Sequence, residues 1–399
     1  MSVNQNNFSS HGIMMLNSSP TEVLVSEEFL TFKMTSGIIE FYVFGGPRPN
    51  EVITQLQQTV GFPLLPPYDA LNWQSSLITS DPKTDIKSYK DKLNDYNLNH
   101  STPVTCKNIL IIFINIYYYF ILAFSIFCTR EFTEEEEQTL QKLAKENQLI
   151  NYNLFIKSSS TNLSALVKKG VEKDVFLRNP YTGGHITNND NKGSYFVDYL
   201  NPNAASFIKE LIMKYPVYYN EKDKSNTVVI DTTANTTINP TNTVDPTPKT
   251  PLRNLETTDL TQEVSNIHNY LTLYGNEPSL DCIQCMKPNA AGTKTFNITL
   301  PINVGEYPLE DNTLPLPTKQ YGKDNNIMLN THNLYPLQEL KTYYTVLTDM
   351  GDRRPFIFSR SGFVGIQQYS GVWLGHFSGW AGLEMAIRNT IKFNVIINC

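Results

Sequence analysis

Cysteine is scarce in this 399-residue sequence: five residues, an odd number. Cys282 and Cys285 form a C-x-x-C. No second pair stands at zinc-site spacing, so a local disulfide or two free thiols fit that pair better than a metal. Charge is thin too, at 18% of residues. No Lys/Arg-rich run occurs, and 32 basic residues against 38 acidic ones leave a formal net charge of −6. Such a surface excludes nucleic acid as the expected partner. Residues 1–12 are polar, so no signal peptide is expected at the start.

Core-forming residues are ample, with 40% hydrophobic and 12% aromatic. At this length the chain can hold two or three domains, or one (β/α)8 barrel with additions. Asn-x-Ser/Thr triplets begin at Asn7, Asn17, Asn99, Asn162, Asn235 and Asn297. They fit a secreted or luminal protein, although an Asn-rich chain produces such triplets by chance.

Along the N-terminal part, 23–25 and 29–34 read as strands, Ser36-Gly37 as a turn, and 38–44 as a β-branched and aromatic strand. Asn50 is the expected N-cap of an amphipathic helix with Val52, Ile53, Leu56 and Val60 on one face. Pro63, Pro66 and Pro67 are the expected stop. Residues 84–97 read as a helix. An apolar run, 109–127, then opens on Ile109 and closes on Phe127. Its nineteen residues just reach bilayer-spanning length. Three readings stay open for it: a transmembrane helix, a buried or aggregation-prone insertion, and a translated intron from an A/T-rich gene. A helix is expected over 133–147 and a strand over 149–156. Asn201-Pro202-Asn203 signals a helix start, with 207–213 as its apolar face. Residues 221–259 are Thr-, Asn- and Pro-rich and read as a surface excursion.

The stretch 354–380, RPFIFSRSGFVGIQQYSGVWLGHFSGW, carries two short apolar runs, 355–358 and 372–374. Each is followed at once by polar or aromatic residues, the look of buried barrel strands whose C-terminal ends carry a site. Arg-Pro-Phe-x-x-Ser-Arg-Ser followed by Trp-Leu-Gly resembles the fifth and sixth barrel strands of glycoside hydrolase family 31, the α-glucosidase family. Residues 11–68 are similar to the end of that family's N-terminal β-sandwich and its entry into the barrel. Residues 195–205 are similar to a barrel loop, 270–279 (YLTLYGNEPS) to the fourth strand, and 324–347 to its His-Asn-Leu-Tyr segment and following helix.

The resemblance implies an incomplete (β/α)8 barrel over 63–399, after a sandwich remnant over 1–62. An apolar insertion (107–128) takes the place of the second barrel strand. It implies retaining hydrolysis of terminal α-linked glucose from oligosaccharides or glycans, no cofactor, and a place in the secretory pathway. The membrane becomes a partner only if 109–127 spans it. Two positions depart from the family pattern. Anchoring on Asn276-Glu277-Pro278-Ser279 puts Tyr274 where the family has its aspartate nucleophile. His376 stands where the acid/base aspartate follows Trp-x-Gly. A phenol facing an imidazole does not replace two carboxyl groups, so catalysis is not expected. A non-catalytic carbohydrate-binding or partner protein, or a membrane-tethered fragment, is the alternative. Arg360, Trp373 and His332 match substrate-binding positions near the barrel mouth. Bland readings stand beside them: an ion pair for Arg360, core packing for Trp373, a hydrogen-bonded structural role for His332. Glu277 is expected to brace its turn, Asp198 to cap or pair locally, and Phe377 and Trp380 to pack.

Overall fold

The computed structural model describes residues 2–3, 9–66, 73–79, 95, 100–107, 152–153, 161–187, 195–214, 270–273, 276–279, 302–304, 307–309, 313–350, 354–374 and 379–394. The N-terminal part is antiparallel. Strands β1 (Ser2–Val3), β2 (Ser10–Met15) and β5 (Phe41–Phe44) form one sheet, in the order β1-β2-β5. Strands β3 (Thr21–Val25) and β4 (Leu30–Met34) form a hairpin beside it in sequence, closed by Ser26 N–H donating to the Phe29 carbonyl (2.9 Å). The turn at Ser36-Gly37 is present, with Gly37 at φ 87°. The third expected strand is shorter than the run 38–44, because Ile38 and Ile39 are exposed and only Phe41–Phe44 pairs with β2.

Helix α1 spans Pro49–Val60 and its N-cap is Arg48, not Asn50. Proline's fixed φ suits the first helical position. The Arg48 N–H donates to Glu51 Oε2 (3.0 Å), so the start is set two residues earlier than Asn50 would set it. Gly61 at φ 93° ends the helix ahead of Pro63. Of the predicted apolar face, only Val52 is buried.

Parallel pairing begins with β6 (Trp73–Thr79) and β7 (His100–Lys107). A strand therefore does occupy the second place, just before the apolar run, where the sequence reading finds none. Strands β8 (Tyr152–Asn153), β9 (Tyr270–Leu273), β12 (Phe356–Ser359) and β13 (Gly371–Val372) form a second parallel sheet in the order β13-β12-β9-β8. Here spatial order equals chain order and every pair is parallel, so each connection is a crossover, as in the wall of a (β/α)8 barrel. Between β9 and β12 lie the short antiparallel pair β10 (Asn303–Val304) and β11 (Tyr307–Pro308). Among the described residues the strands do not close a ring. Among the described residues the N-terminal strands make a three-stranded sheet and a hairpin, which touch through the rings of Phe32 and Phe41 at 5.8 Å, and they do not form a complete sandwich.

Helices α2 (Thr161–Glu172), α3 (Ala204–Lys214), the single turn α4 (Met328–Thr331) and α5 (Tyr335–Met350) follow the sheet strands. The α3 start is the expected one: Asn201 Oδ1 accepts from the Asn203 N–H (2.9 Å). Its apolar face is also as expected, since Phe207, Ile208, Leu211 and Ile212 are all buried. They share one core with Leu271 and Leu273 of β9, Ile357 of β12, and Leu340, Tyr343 and Leu347 of α5. Each such side chain contributes about 1.5–3 kcal/mol on leaving water, so this cluster holds the sheet ends in place.

Helix α6 (Gly379–Asn394) corrects another expectation. Trp380 is 86% exposed rather than packed, and Leu383, Ile387 and Ile391 continue an exposed stripe at helical spacing. Nothing among the described residues covers that face. No helix among the described residues is long and apolar enough to cross a membrane. The stretch 109–127, the helices expected over 84–97 and 133–147, the excursion 221–259, Phe377 and the pair Cys282/Cys285 lie outside the described residues, Asp95 aside.

Candidate active site

Parallel strands place their C-terminal ends along one edge, and the polar residues that follow β9, β12 and β13 meet there. After β9 comes Asn276, buried, whose amide bridges two strand ends. Its Nδ2 donates to Ser359 Oγ (2.7 Å) and to the Ser361 carbonyl (3.1 Å), and its Oδ1 accepts from the Ser361 N–H (2.9 Å). Backbone bonds tighten the same edge: Arg360 N–H donates to the Leu273 carbonyl (3.2 Å), and Trp373 N–H to the Ser359 carbonyl (2.8 Å).

Arg360 and Glu277 face each other across this edge. Arg360 Nη1 lies 3.4 Å from Glu277 Oε1, with side chains 33% and 26% exposed. Ser361 Oγ donates to Glu277 Oε2 (3.3 Å). Glu277 thus does more than brace its own turn. Trp373 is half-buried at the end of β13. Tyr274, directly after β9, and His376, shortly after Trp373, lie outside the described residues.

His332 sits behind the turn. Asn333 donates through Nδ2 to the Ser19 carbonyl (2.6 Å), which turns its Oδ1 toward His332 Nδ1 at 2.9 Å. His332 Nε2 is 2.8 Å from Thr313 Oγ1, which also donates to the Pro278 carbonyl (2.6 Å). Burial lowers the imidazole pKa, with the Asn333 hydrogen bond opposing. The histidine is thereby tied to the Asn276–Ser279 turn on one side and to the N-terminal segment on the other.

Two further carboxyl groups are buried. Asp198 accepts locally from the Leu200 N–H (3.1 Å), as expected, but also from the distant Tyr321 N–H (2.6 Å). Burial raises its pKa to about 6 against those hydrogen bonds. Glu339, on the buried face of α5, accepts from the Tyr199 hydroxyl (2.7 Å). Burial pushes its pKa to about 8, and the charge of Glu277 adds to the rise. Sequence reading passed over Glu339 and Asn276. The signal for Glu339 was there: it falls four residues after Tyr335 and four before Tyr343, on the stripe α5 buries. Among the described residues, no three His, Cys, Asp or Glu side chains converge on a cation site.

The family model described as Glycosyl hydrolases family 31 TIM-barrel domain matches residues 63–397. The chain belongs to glycoside hydrolase family 31. Its relatives include a probable alpha-glucosidase of Oryza sativa subsp. japonica, 23% identical over 96% of this chain and 37% of that protein. An alpha-glucosidase of Schizosaccharomyces pombe is 25% identical over 97% of this chain and 43% of that protein. The crystal structure of an ER glucosidase II heterodimeric complex, of catalytic subunit and the binding domain of the regulatory subunit, is similar at a TM-score of 0.57. It shares 17% identity over 94% of this chain and 34% of that one. This family 31 chain thus spans 37–43% of the length of these two curated relatives. The family and the fold likeness establish the (β/α)8 architecture, to which the sheet β13-β12-β9-β8 contributes consecutive strands.

Proposed function

We propose that this family 31 chain recognises terminal α-linked glucose on oligosaccharides or glycans and does not hydrolyse it. The observation that carries the recognition is the Arg360–Glu277 pair, partly exposed at the C-terminal edge of β9 and β12, where barrel proteins bind their ligands. Trp373, at the neighbouring strand end, offers a ring face suited to the C–H face of a pyranose. The loss of hydrolysis follows from residue chemistry. Retaining glycosidases use two carboxyl groups roughly 5–5.5 Å apart, one as nucleophile and one as acid/base. At those places in the chain stand Tyr274 and His376, and a phenol with a pKa of about 10 is a poor nucleophile without a paired base.

The domain reading goes with this: a sandwich remnant over 1–62 and a partial barrel over 63–399. No cofactor is needed. Relatives that include an ER glucosidase II and a lysosomal alpha-glucosidase support a secretory-pathway location. Titration calorimetry of the full chain with maltose tests recognition, and p-nitrophenol release from p-nitrophenyl α-glucoside tests hydrolysis. Saturable heat with no release is the expected result. No heat would remove the recognition reading, and release above a mock preparation would remove the non-catalytic one.

A further inference from the structure

A cavity of about 190 Å³ opens where four segments meet: the end of β2, the last turn of α1, the first turns of α5, and the connection between β12 and β13. Pockets for drug-sized ligands run to about 300–1,000 Å³, so this one suits a more compact molecule. Met14, Leu16, Val60, Leu337 and Val364 give it aliphatic walls. Its frame is braced by side chains from the β12–β13 connection. Gln368 Nε2 donates to the Val60 carbonyl (2.8 Å) and Gln367 Nε2 to the Gly61 carbonyl (2.9 Å), which ties the end of α1 to that connection. The Tyr369 ring, also at the cavity, packs edge to face with Tyr344 at 5.5 Å.

The polar groups around the cavity differ in what they can still offer. Tyr42 commits its proton to Glu40 Oε1 (2.6 Å) and Thr59 to the Gln55 carbonyl (2.9 Å), so neither keeps a donor. Lys341 is the one charged side chain among the described residues that line the cavity. Its Nζ sits 5.6 Å from the centroid of the Tyr369 ring, a cation–π contact that leaves all three N–H groups available. The C-terminus of α1 carries partial negative charge. Its Val60 and Gly61 carbonyls already accept from the two glutamines, however, so the full charge of Lys341 outweighs it. We propose that this cavity binds a small organic monoanion, a carboxylate on an apolar body the size of benzoate. The carboxylate pairs with the Lys341 ammonium by charge-assisted hydrogen bonds, and the body lies against the aliphatic walls. An ammonium held over a ring loses less rotamer freedom on binding. None of the residues that line the cavity takes part in the sugar recognition proposed above, so this anion and maltose bind independently.

The test uses the full chain, titration calorimetry with benzoate, benzamide and benzylamine, and thermal melting. Benzoate is expected to bind saturably and to raise the melting temperature as its concentration rises. Benzamide, of the same shape without the charge, is expected to bind on the order of tenfold more weakly, and benzylamine, a cation at neutral pH, not at all. Lys341→Met keeps the length of the side chain and removes its charge. It is expected to bring benzoate down to the affinity of benzamide and to leave benzamide unchanged. Lys341→Arg is expected to keep most of the benzoate affinity. Val364→Phe fills the cavity and is expected to abolish binding of both ligands while the melt without ligand stays in place. No saturable heat with benzoate at millimolar concentration would overturn the proposal. So would equal affinity for benzoate and benzamide, or benzoate binding undiminished in Lys341→Met or in a folded Val364→Phe, which would put the anion elsewhere.

Discussion

Tyr199 donates a 2.7 Å hydrogen bond to one carboxyl oxygen of Glu339, while the other oxygen, also buried, has no hydrogen-bond partner among the described residues. An ionised carboxylate so placed would carry a large desolvation cost. Its pKa of about 8, against an ordinary 4.5, expresses that cost. At neutral pH the folded chain therefore holds a proton that the unfolded chain releases.

The sign of the resulting pH dependence follows. Stability from this proton is fully present below pH 4.5 and is lost as pH rises toward 8, at up to about 1.4 kcal/mol per unit. Asp198, raised to about 6, and His332, whose pKa is lowered from 6.5, titrate alike in wild type and in a Glu339 variant, so the difference between the two proteins isolates Glu339. Chemical denaturation between pH 6.5 and 8 should show wild-type stability falling, and Glu339→Gln should flatten the fall while remaining the more stable protein at pH 8. Parallel curves would mean that Glu339 is ionised in the fold.

Gly170 in α2 makes a second case in which magnitudes decide. Replacing a helical glycine with alanine is worth up to about 1 kcal/mol of helix propensity. Here, however, a Cβ would lie 2.6 Å from ring carbons of Phe176 and 2.9 Å from Phe207. Those two rings pack edge to face at 5.2 Å in the buried core, and overpacking such a contact costs about 1–3 kcal/mol. Gly170→Ala should therefore lower stability, measured as the urea midpoint, despite the better helix former. A raised midpoint would show that the rings yield.

Asn276→Ala removes a side chain that donates twice and accepts once across β9 and β12. The Ser361 N–H loses its partner at a partly buried edge, at a cost of about 1–3 kcal/mol for the group left unsatisfied, while the Ser359 hydroxyl keeps its bond to the Ser361 carbonyl. Maltose affinity should fall as well, because the Arg360 and Glu277 backbones are no longer held in register. Asn276→Asp should lose less stability than alanine, since the carboxylate can still accept from Ser361. Denaturation and calorimetry on the two variants check both orders.

How far these features could be read from sequence depended on how each residue type broadcasts its surroundings. Strand β12 was legible as a short apolar run, buried on both faces, and β9 through its likeness to the family's fourth strand. Strand β7 was not: HSTPVTCK carries a proline and polar residues, signals that demote a strand. The louder apolar run after it drew attention away. The α1 start was misread by one feature, the preference for Asn at an N-cap, when Pro49 at the first turn was the stronger signal. Trp380 was expected to pack because large aromatics usually do, whereas the stripe of α6 that carries it stays exposed among the described residues. Of the site, Arg360 and His332 were found through motif likeness. Their partners Glu277, Asn333 and Thr313 depend on which segments fold together, and local pattern does not report that.

The sharpest prediction concerns the two positions that depart from the family pattern. If hydrolysis is absent because Tyr274 and His376 replace carboxyl groups, then Tyr274→Asp combined with His376→Asp restores the required pair. Neither single substitution should suffice, since nucleophile and acid/base act as a unit and removing one costs nearly as much as removing both. p-Nitrophenol release by the double variant alone, abolished by adding Arg360→Ala, is the expected outcome. Release by the wild type would show that this chain uses other groups. A silent double variant that still binds maltose would place the defect in the geometry around β9 and β13, not in the identity of these two side chains.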